Sequence, residues 1–145
     1  MKMLGKFTFA ALALASASAA MAANYSWTQS VAGPSVYAPG AENSSFFATP
    51  SSVPATGAKV TTISWGYGRY NNGSTAQAVK ICYATRYSND YAKCTDVSLN
   101  ATGSTSFFNG DDAKGKFKMT FVLTGGTYPA SSGFQNSLLV NYTAP

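Results

Sequence analysis

The stretch from Lys59 to Tyr70 reads K-V-T-T-I-S-W-G-Y-G-R-Y and decides the fold class. Within it, one face of an extended chain would carry four residues: Thr61, Ile63, Trp65 and Tyr67. Smaller or hydroxyl-bearing residues separate them, and this alternation predicts a β-strand, which we expect to be the longest of the chain. The glycines Gly66 and Gly68 predict a bulge, a bend or a close backbone approach.

The same alternation recurs on both sides of this stretch, separated by Gly, Asn, Ser and Pro. It predicts further strands over Gln77–Ala84, Cys94–Leu99, Ser104–Phe108, Lys116–Leu123 and Phe134–Tyr142. Weaker patterns, interrupted by prolines, indicate short strands at Asn24–Ser30, Ser35–Ala38 and Ser45–Ala48. The sequence therefore predicts an all-β fold, an antiparallel β-sandwich or small barrel of about eight or nine short strands. We expect residues 23–145 to form a single domain.

The first 22 residues have the order of a secretory signal peptide. Lys2 and Lys6 provide a basic start, an apolar stretch follows, and Ala20-Met21-Ala22 is typical of a cleavage site. The apolar part is shorter than the roughly 20 residues that a membrane anchor needs. We expect cleavage after Ala22, no membrane span, and a periplasmic location, because the Ala/Ser-rich segment is typical of bacteria.

Two cysteines, Cys82 and Cys94, are the only ones in the sequence. An even number of cysteines in an exported chain indicates a disulfide bond. The redox-active alternative usually has a Cys-x-x-Cys spacing, which is absent. We expect the two cysteines to lie opposite each other on two strands of a hairpin.

The composition excludes several kinds of chemistry. The 145 residues contain no histidine and only five Asp or Glu, so the sequence has no Ser-His-Asp or Cys-His pair. Asp111 and Asp112 follow Asn109-Gly110, where a turn explains them better than calcium binding. Glu42 has no evident acidic partner for glycoside hydrolysis. We therefore expect no enzymatic activity, no cofactor and no metal, and the few basic residues make nucleic acid an improbable partner.

Candidate contact residues are aromatic and basic. Trp65, Tyr67 and Tyr83 are expected in the core, whereas Tyr87 and Tyr91, in the predicted hairpin loop, are candidate contacts with a sugar or a protein. A second set of candidate contacts alternates along one strand: Lys114, Lys116 and Lys118. Those lysines fit either an anionic partner or a solvated strand face.

Four landmarks are spaced along the chain: Ser26-Trp27-Thr28-Gln29-Ser30, Ile63-Ser64-Trp65-Gly66-Tyr67, the hairpin with Ile81-Cys82 and Lys93-Cys94, and the ending Gln135-Asn136-Ser137-Leu138-Leu139-Val140-Asn141-Tyr142. Together they resemble the FlhE family of small periplasmic flagellar accessory proteins. The chain departs from the family in its longer gap between cysteines, its tail beyond Tyr142, and a middle richer in Asn, Ser and Tyr.

The resemblance implies a periplasmic β-sandwich without a catalytic site. It further implies binding to exported flagellar rod or hook subunits, or to the export apparatus, which prevents premature assembly or proton leakage. Two other hypotheses remain: a carbohydrate-binding or adhesin-like module that uses Tyr87 and Tyr91, and a subunit of a fimbria or matrix.

Overall fold

The computed structural model describes residues 22–145, and these form eight strands. The strands are β1 (Ala23–Ala32), β2 (Glu42–Phe47), β3 (Lys59–Gly66), β4 (Ala76–Ala84), β5 (Lys93–Asp96), β6 (Thr102–Thr105), β7 (Lys116–Thr124) and β8 (Gln135–Ala144). No helix capable of crossing a membrane occurs in this part of the chain. The predicted signal peptide, apart from Ala22, lies outside the described residues.

The eight strands form two four-stranded antiparallel sheets. One sheet has the order β1-β8-β3-β6 and the other has the order β2-β7-β4-β5. Facing side chains from β7 and β8 fill the space between the sheets: Phe117, Met119, Phe121, Leu123, Leu138, Val140 and Tyr142. The predicted all-β sandwich is therefore confirmed, and its strand number is at the lower end of the expected range.

Aromatic rings link the two sheets. The ring of Phe117 lies 6.4 Å from that of Trp27, 5.3 Å from that of Tyr83 and 5.5 Å from that of Phe108. The rings of Tyr67 and Phe121 pack edge-to-face, with 6.0 Å between their centroids. Such tilted and edge-to-face arrangements are the preferred geometry of aromatic pairs. The core therefore contains two groups of packed rings, one around Phe117 and one around Phe121.

A buried polar link joins the sheets as well. Asn136 is fully buried, and its Nδ2 donates to Ser45 Oγ at 3.0 Å. The Ser45 hydroxyl in turn donates to the carbonyl oxygen of Ala32 at 3.0 Å. Asn136 opens the N-x-φ-φ-V-N-Y ending (φ is aliphatic), and the asparagine near its end, Asn141, donates to Thr62 Oγ1 at 3.0 Å. These bonds give both asparagines of that ending a structural role, because buried polar groups need partners.

Strand β3, which lies in the Lys59–Tyr70 stretch, is shorter than predicted. It ends at Gly66, whereas β1 and β8 have ten residues each and are the longest strands. The backbone N–H of Tyr67 still donates to Ala101 O at 2.9 Å, which continues the pairing of Gly66 with Thr102 just beyond the end of the strand. The bulge lies between Val60 and Thr62 rather than at the glycines. Gly68 marks a close approach, because a Cβ there would lie 2.3 Å from the Cβ of Phe134.

Three other predicted strands differ from the structure. Ser35–Ala38 contributes only an isolated bridge from Val36 to Ala130, because Pro34 and Pro39 flank it. The strand that begins near Cys94 ends at Asp96. The strand expected at Ser104–Phe108 occupies Thr102–Thr105 instead, and Phe108 is buried in the turn that follows.

Tyr67 and Tyr83 are buried as predicted, and both hydroxyls donate to backbone carbonyl groups: Tyr67 to Val97 O at 2.9 Å and Tyr83 to Asp112 O at 3.0 Å. Trp65 is only partly buried, which corrects the expectation for this residue. Its ring lies over Gly103 of the short edge strand β6, and its Nε1 donates to Asn100 O at 3.0 Å.

We expect the protein to lose stability at alkaline pH. Burial raises the pKa of Tyr70 to about 12, and burial together with Asp111 and Asp112 raises the pKa of Tyr83 to about 12. Their ordinary pKa is near 10. The unfolded chain therefore loses these protons first, so stability is complete below about pH 10 and falls as pH rises towards about 12. Thermal unfolding measured across this range should show the fall.

The variant Tyr70→Phe should make this pH dependence shallower, because one of the two groups no longer titrates. Ultraviolet titration of phenolate absorbance in the native protein provides an independent check. If all tyrosines of the folded protein ionised near pH 10, the assigned burial of Tyr70 and Tyr83 would be wrong.

Candidate functional site

The disulfide lies on the outer face of the second sheet. Cys82 and Cys94 are directly opposite each other on β4 and β5, with their Cα atoms 4.0 Å apart, and they are bonded. This confirms the predicted pairing. Cys82 is only 3% exposed although it points away from the core. The segment 85–92, which connects the two strands, therefore covers the bond: the carbonyl oxygen of Tyr91 lies 3.4 Å from Cys94 Sγ.

Several contacts fix the 85–92 segment. Lys116 Nζ donates to Asn89 Oδ1 at 2.8 Å, so β7 holds the middle of the segment. Arg86 donates to Ala55 O at 3.1 Å, which ties the start of the segment to the loop after β2. The disulfide anchors the end. The segment is consequently a fixed part of the outer surface, although it has no regular secondary structure.

Tyr91 forms the centre of an aromatic and basic cluster. Its ring lies 6.1 Å from the ring of Phe46, at an interplanar angle of 65°. Lys118 Nζ lies 5.2 Å from the centroid of the Tyr91 ring, within the range of a cation–π interaction. The same ammonium group is 3.4 Å from Glu42 Oε1. Burial raises the pKa of the Tyr91 hydroxyl above its ordinary value.

We call this cluster the Phe46–Tyr91 face and define it by four residues: Phe46, Tyr91, Lys116 and Lys118. Phe46 is 60% exposed and points outward from β2, where it lies opposite Lys118. The face therefore presents an exposed aromatic ring beside ammonium groups on a rigid sheet. Aromatic residues are enriched at the centre of protein interfaces, where polar groups form the rim.

The structure separates two of the predicted contact residues from this face. Tyr87 is 86% exposed, and its ring packs beneath the guanidinium group of Arg86 at 4.4 Å. Lys114 lies in the turn before β7, and its ammonium group donates to Pro50 O at 2.7 Å and Ser51 O at 3.3 Å. The three lysines thus do not form one continuous basic row, because only Lys116 and Lys118 share the outer face of β7.

Phe46 was not identified from the sequence. The adjacent Phe46 and Phe47 both fit a hydrophobic core, but neighbouring residues of a strand point to opposite faces. Phe47 is 2% exposed and takes the core position. The alternation across Ser45, Phe46 and Phe47 was the available signal, because one of the two rings had to point outward.

The acidic residues have structural roles. Asp111 Oδ2 accepts a hydrogen bond from Lys93 Nζ at 2.6 Å, and Asp112 Oδ1 accepts from the backbone N–H of Lys114 at 2.9 Å. The second contact is typical of an Asx turn, as the sequence predicted. Between residues 22 and 145, no group of three or more His, Cys, Asp or Glu is arranged to hold a metal ion.

Comparison with known proteins decides the family. A family model described as "Flagellar protein FlhE" matches residues 33–143. The chain belongs to the FlhE family. The matched residues include strands β2 to β7, nearly all of β8, both cysteines and the whole Phe46–Tyr91 face, whereas β1 precedes them.

A solved structure supports the fold of this FlhE family member. A chain described as "Crystal Structure of FLHE" superposes with a TM-score of 0.63 at 22% sequence identity. The alignment covers 82% of this chain and 96% of the other. At this identity the likeness shows a shared fold. No curated protein matches the sequence. Membership of the family makes this a flagellum-associated protein.

Proposed function

We propose that this protein is a non-enzymatic accessory factor of the flagellum that acts in the periplasm. It binds exported rod or hook subunits, or the export apparatus, and so prevents premature assembly or proton leakage. The observation that carries this proposal is the FlhE family match over residues 33–143. A signal peptide over residues 1–22 would deliver the chain to the periplasm, and the disulfide suits that oxidising compartment.

We assign the binding to the Phe46–Tyr91 face. Its exposed Phe46 ring offers apolar area, and the ammonium groups of Lys116 and Lys118 offer hydrogen bonds at the rim. Because the disulfide and the Asn89 contact hold the 85–92 segment, little conformational entropy is lost when a partner binds. A protein partner with an apolar side chain beside acidic or carbonyl groups fits this surface best.

The geometry of the rings favours a protein partner over a glycan. A sugar-binding platform needs exposed rings on which the flat face of a sugar can stack. Tyr91 instead meets Phe46 at 65°, and Lys118 occupies a position near one face of the Tyr91 ring. The Tyr87 ring is covered on one side by Arg86. The carbohydrate hypothesis therefore receives no support from the candidate loop.

Removal of the two rings tests the proposal. The variant Phe46→Ala/Tyr91→Ala should reduce the amount of flagellar rod, hook or export protein that co-purifies from periplasm by about tenfold or more, because central aromatic residues dominate binding energies. Quantitative mass spectrometry of the captured proteins provides the measurement. Tyr37→Ala is the matched control, because Tyr37 is 71% exposed on a loop elsewhere and should retain wild-type capture.

Three results would count against the proposal. If the wild-type protein captured no flagellar protein, the functional assignment would be wrong. If the double variant captured as much as the wild type, the binding surface would lie elsewhere, and the assignment to the Phe46–Tyr91 face would be wrong. Normal swimming of a strain that lacks the protein, with no change in its periplasm, would count against the flagellar role.

A further inference from the structure

A cavity of about 390 Å³ lies on the first sheet, where β1 and β3 begin and β8 ends. Its lining comes from three adjacent strands: Asn24, Tyr25 and Ser26 of β1, Asn141 and Tyr142 of β8, and Thr61 of β3. Ser26 lies opposite Asn141, and both alternate with buried core residues, so both point outward. The volume falls within the range of about 300–1,000 Å³ that is typical of small-molecule sites.

The bulge of β3 lies in the wall of this cavity. The pairing of β3 with β8 shifts register between Val60 and Thr62, so Thr61 is the extra residue of the bulge. A bulge bends its strand and redirects a side chain, and bulges are frequent beside functional sites. The bulge thus contributes a hydroxyl-bearing residue, Thr61, to the lining of the cavity.

Tyr25 provides an exposed aromatic ring that is held from one side. Its ring stacks on the ring of Tyr142, with 5.6 Å between the centroids and 24° between the planes. Tyr142 is 6% exposed, whereas Tyr25 is 48% exposed. The Tyr25 ring therefore rests on a buried ring, and its exposed part can contact a ligand. Tyr25 in this way meets the requirement for sugar stacking that Tyr87 and Tyr91 do not meet.

The other residues that line the cavity have neutral amide or hydroxyl side chains: Asn24, Ser26, Thr61 and Asn141. Asn141 Nδ2 donates to Thr62 Oγ1 at 3.0 Å, which fixes the plane of the amide group. Asn141 Oδ1 and the second amide hydrogen can then bond a ligand. No side chain in this described lining is charged, so an ionic ligand would lose hydration here without gaining an ion pair. The lining favours a neutral ligand with many hydroxyl or amide groups.

We propose that this cavity binds a neutral oligosaccharide. A sugar ring has an apolar face of C–H groups and a rim of hydroxyl or acetamido groups. The apolar face packs on the ring of Tyr25, and the rim bonds the side-chain amides of Asn24 and Asn141. The site lies on a different sheet from the Phe46–Tyr91 face, so it does not depend on the proposed function.

A second cavity, of about 460 Å³, gives room for more than one sugar. It shares Tyr25, Ser26 and Tyr142 with the first cavity, so the two adjoin. Its remaining lining consists of small and apolar residues: Ser52, Pro54, Ala144 and Pro145. A chain of several sugars can therefore extend from the first cavity into the second, with Tyr25 between them.

Two substitutions remove the proposed contacts. Tyr25→Ala removes the stacking ring and should weaken binding by about tenfold or more, as removal of a central aromatic residue does at other binding sites. Ser26→Ile places a branched apolar side chain in both cavities and should weaken binding as well. Ser26 is exposed, and isoleucine suits a β-strand, so this variant tests the site even if Tyr25→Ala folds poorly. The matched controls Tyr25→Phe and Tyr37→Ala should bind like the wild type.

Nuclear magnetic resonance of the isotope-labelled protein purified from periplasm both measures the binding and locates it. The probes are chitohexaose, which carries acetamido groups, cellohexaose, which carries none, and an anionic oligomer of galacturonic acid. We expect saturable shifts of the backbone amides of residues 24–26 and 141–142 with at least one neutral probe, and weaker binding of the anionic probe. Phe46→Ala/Tyr91→Ala should show the same shifts, so failure of the proposed function is distinguishable.

Several results would overturn the proposal. These are the absence of a saturable shift with both neutral probes, tighter binding of the anionic probe, and shifts confined to another surface. Equal binding by the wild type, Tyr25→Ala and Ser26→Ile would also overturn it. If Tyr25→Ala lost the captured flagellar proteins while no saccharide bound the wild type, the cavity would be a protein contact and the proposal would be wrong.

Discussion

Replacement of Phe117 by alanine should lower the free energy of unfolding by about 3–5 kcal/mol. Phe117 is fully buried at the centre of the sandwich, where its ring contacts Trp27 from the opposite sheet and Phe108 and Tyr83 from its surroundings. Its removal therefore leaves a cavity between the sheets as well as losing buried apolar area. Urea unfolding, followed by tryptophan fluorescence, measures the change.

Phe46→Ala is the matched control for this substitution. It removes the same side chain from the same pair of strands, but from the exposed face. We expect its unfolding free energy to stay within about 1 kcal/mol of the wild type. Similar losses for both variants would show that the predicted inward and outward directions of β2 and β7 are incorrect.

Removal of the disulfide should lower the unfolding free energy by about 3 kcal/mol, because the bond closes a loop between residues twelve positions apart. The double variant Cys82→Ala/Cys94→Ala leaves no free thiol and isolates this effect. A reducing agent should destabilise the wild type by a similar amount and leave the double variant unchanged. Thermal unfolding with and without the reductant compares the two proteins.

The reductant experiment also has a clear negative outcome. If reduction of the wild type left its unfolding unchanged, the bond would not constrain the chain as the structure indicates. If labelling detected two free thiols in the protein purified from periplasm, the disulfide would not form there at all.

The sequence predicted those features that depend on local alternation and on composition. The alternating side chains of β7 and β8 predicted their inward faces, and residues such as Phe117 and Val140 lie in the core as expected. The disulfide bond could be predicted because the sequence has two cysteines and a predicted signal peptide, a combination that favours pairing. The Asn109–Asp112 turn followed from residue types that favour turns.

Features that depend on long-range contacts could not be predicted. The sequence does not show that β2 pairs with β7. It therefore does not show that Phe46 lies opposite Lys118 or that its ring packs against the ring of Tyr91. The β3 bulge between Val60 and Thr62 arises from its pairing with β8, and no local residue marks it. Lys114 does not align with Lys116 and Lys118 as predicted. Its ammonium group instead donates to the carbonyl oxygens of Pro50 and Ser51, which are distant in sequence.

The length and environment of the edge strand β1 also depend on long-range contacts and could not be predicted. Its composition suggested only a short, irregular strand, but it pairs with β8 over all ten residues. Only its position at the edge of the sheet shows that one side of its backbone has no neighbouring strand within residues 22–145. Only the packing shows that Trp27 Nε1 and Gln29 Oε1 are buried without a hydrogen-bond partner among those residues.

We propose above that this disulfide-linked β-sandwich binds flagellar proteins through the Phe46–Tyr91 face. Photo-crosslinking at Phe46 in flagellated cells is the most direct test of that binding. A photoreactive amino acid replaces Phe46 in one strain and the exposed Tyr37 in the control strain. We expect adducts with rod, hook or export-apparatus proteins from position 46 and none from position 37. Absence of flagellar adducts at position 46, or equal adducts at both positions, would contradict it.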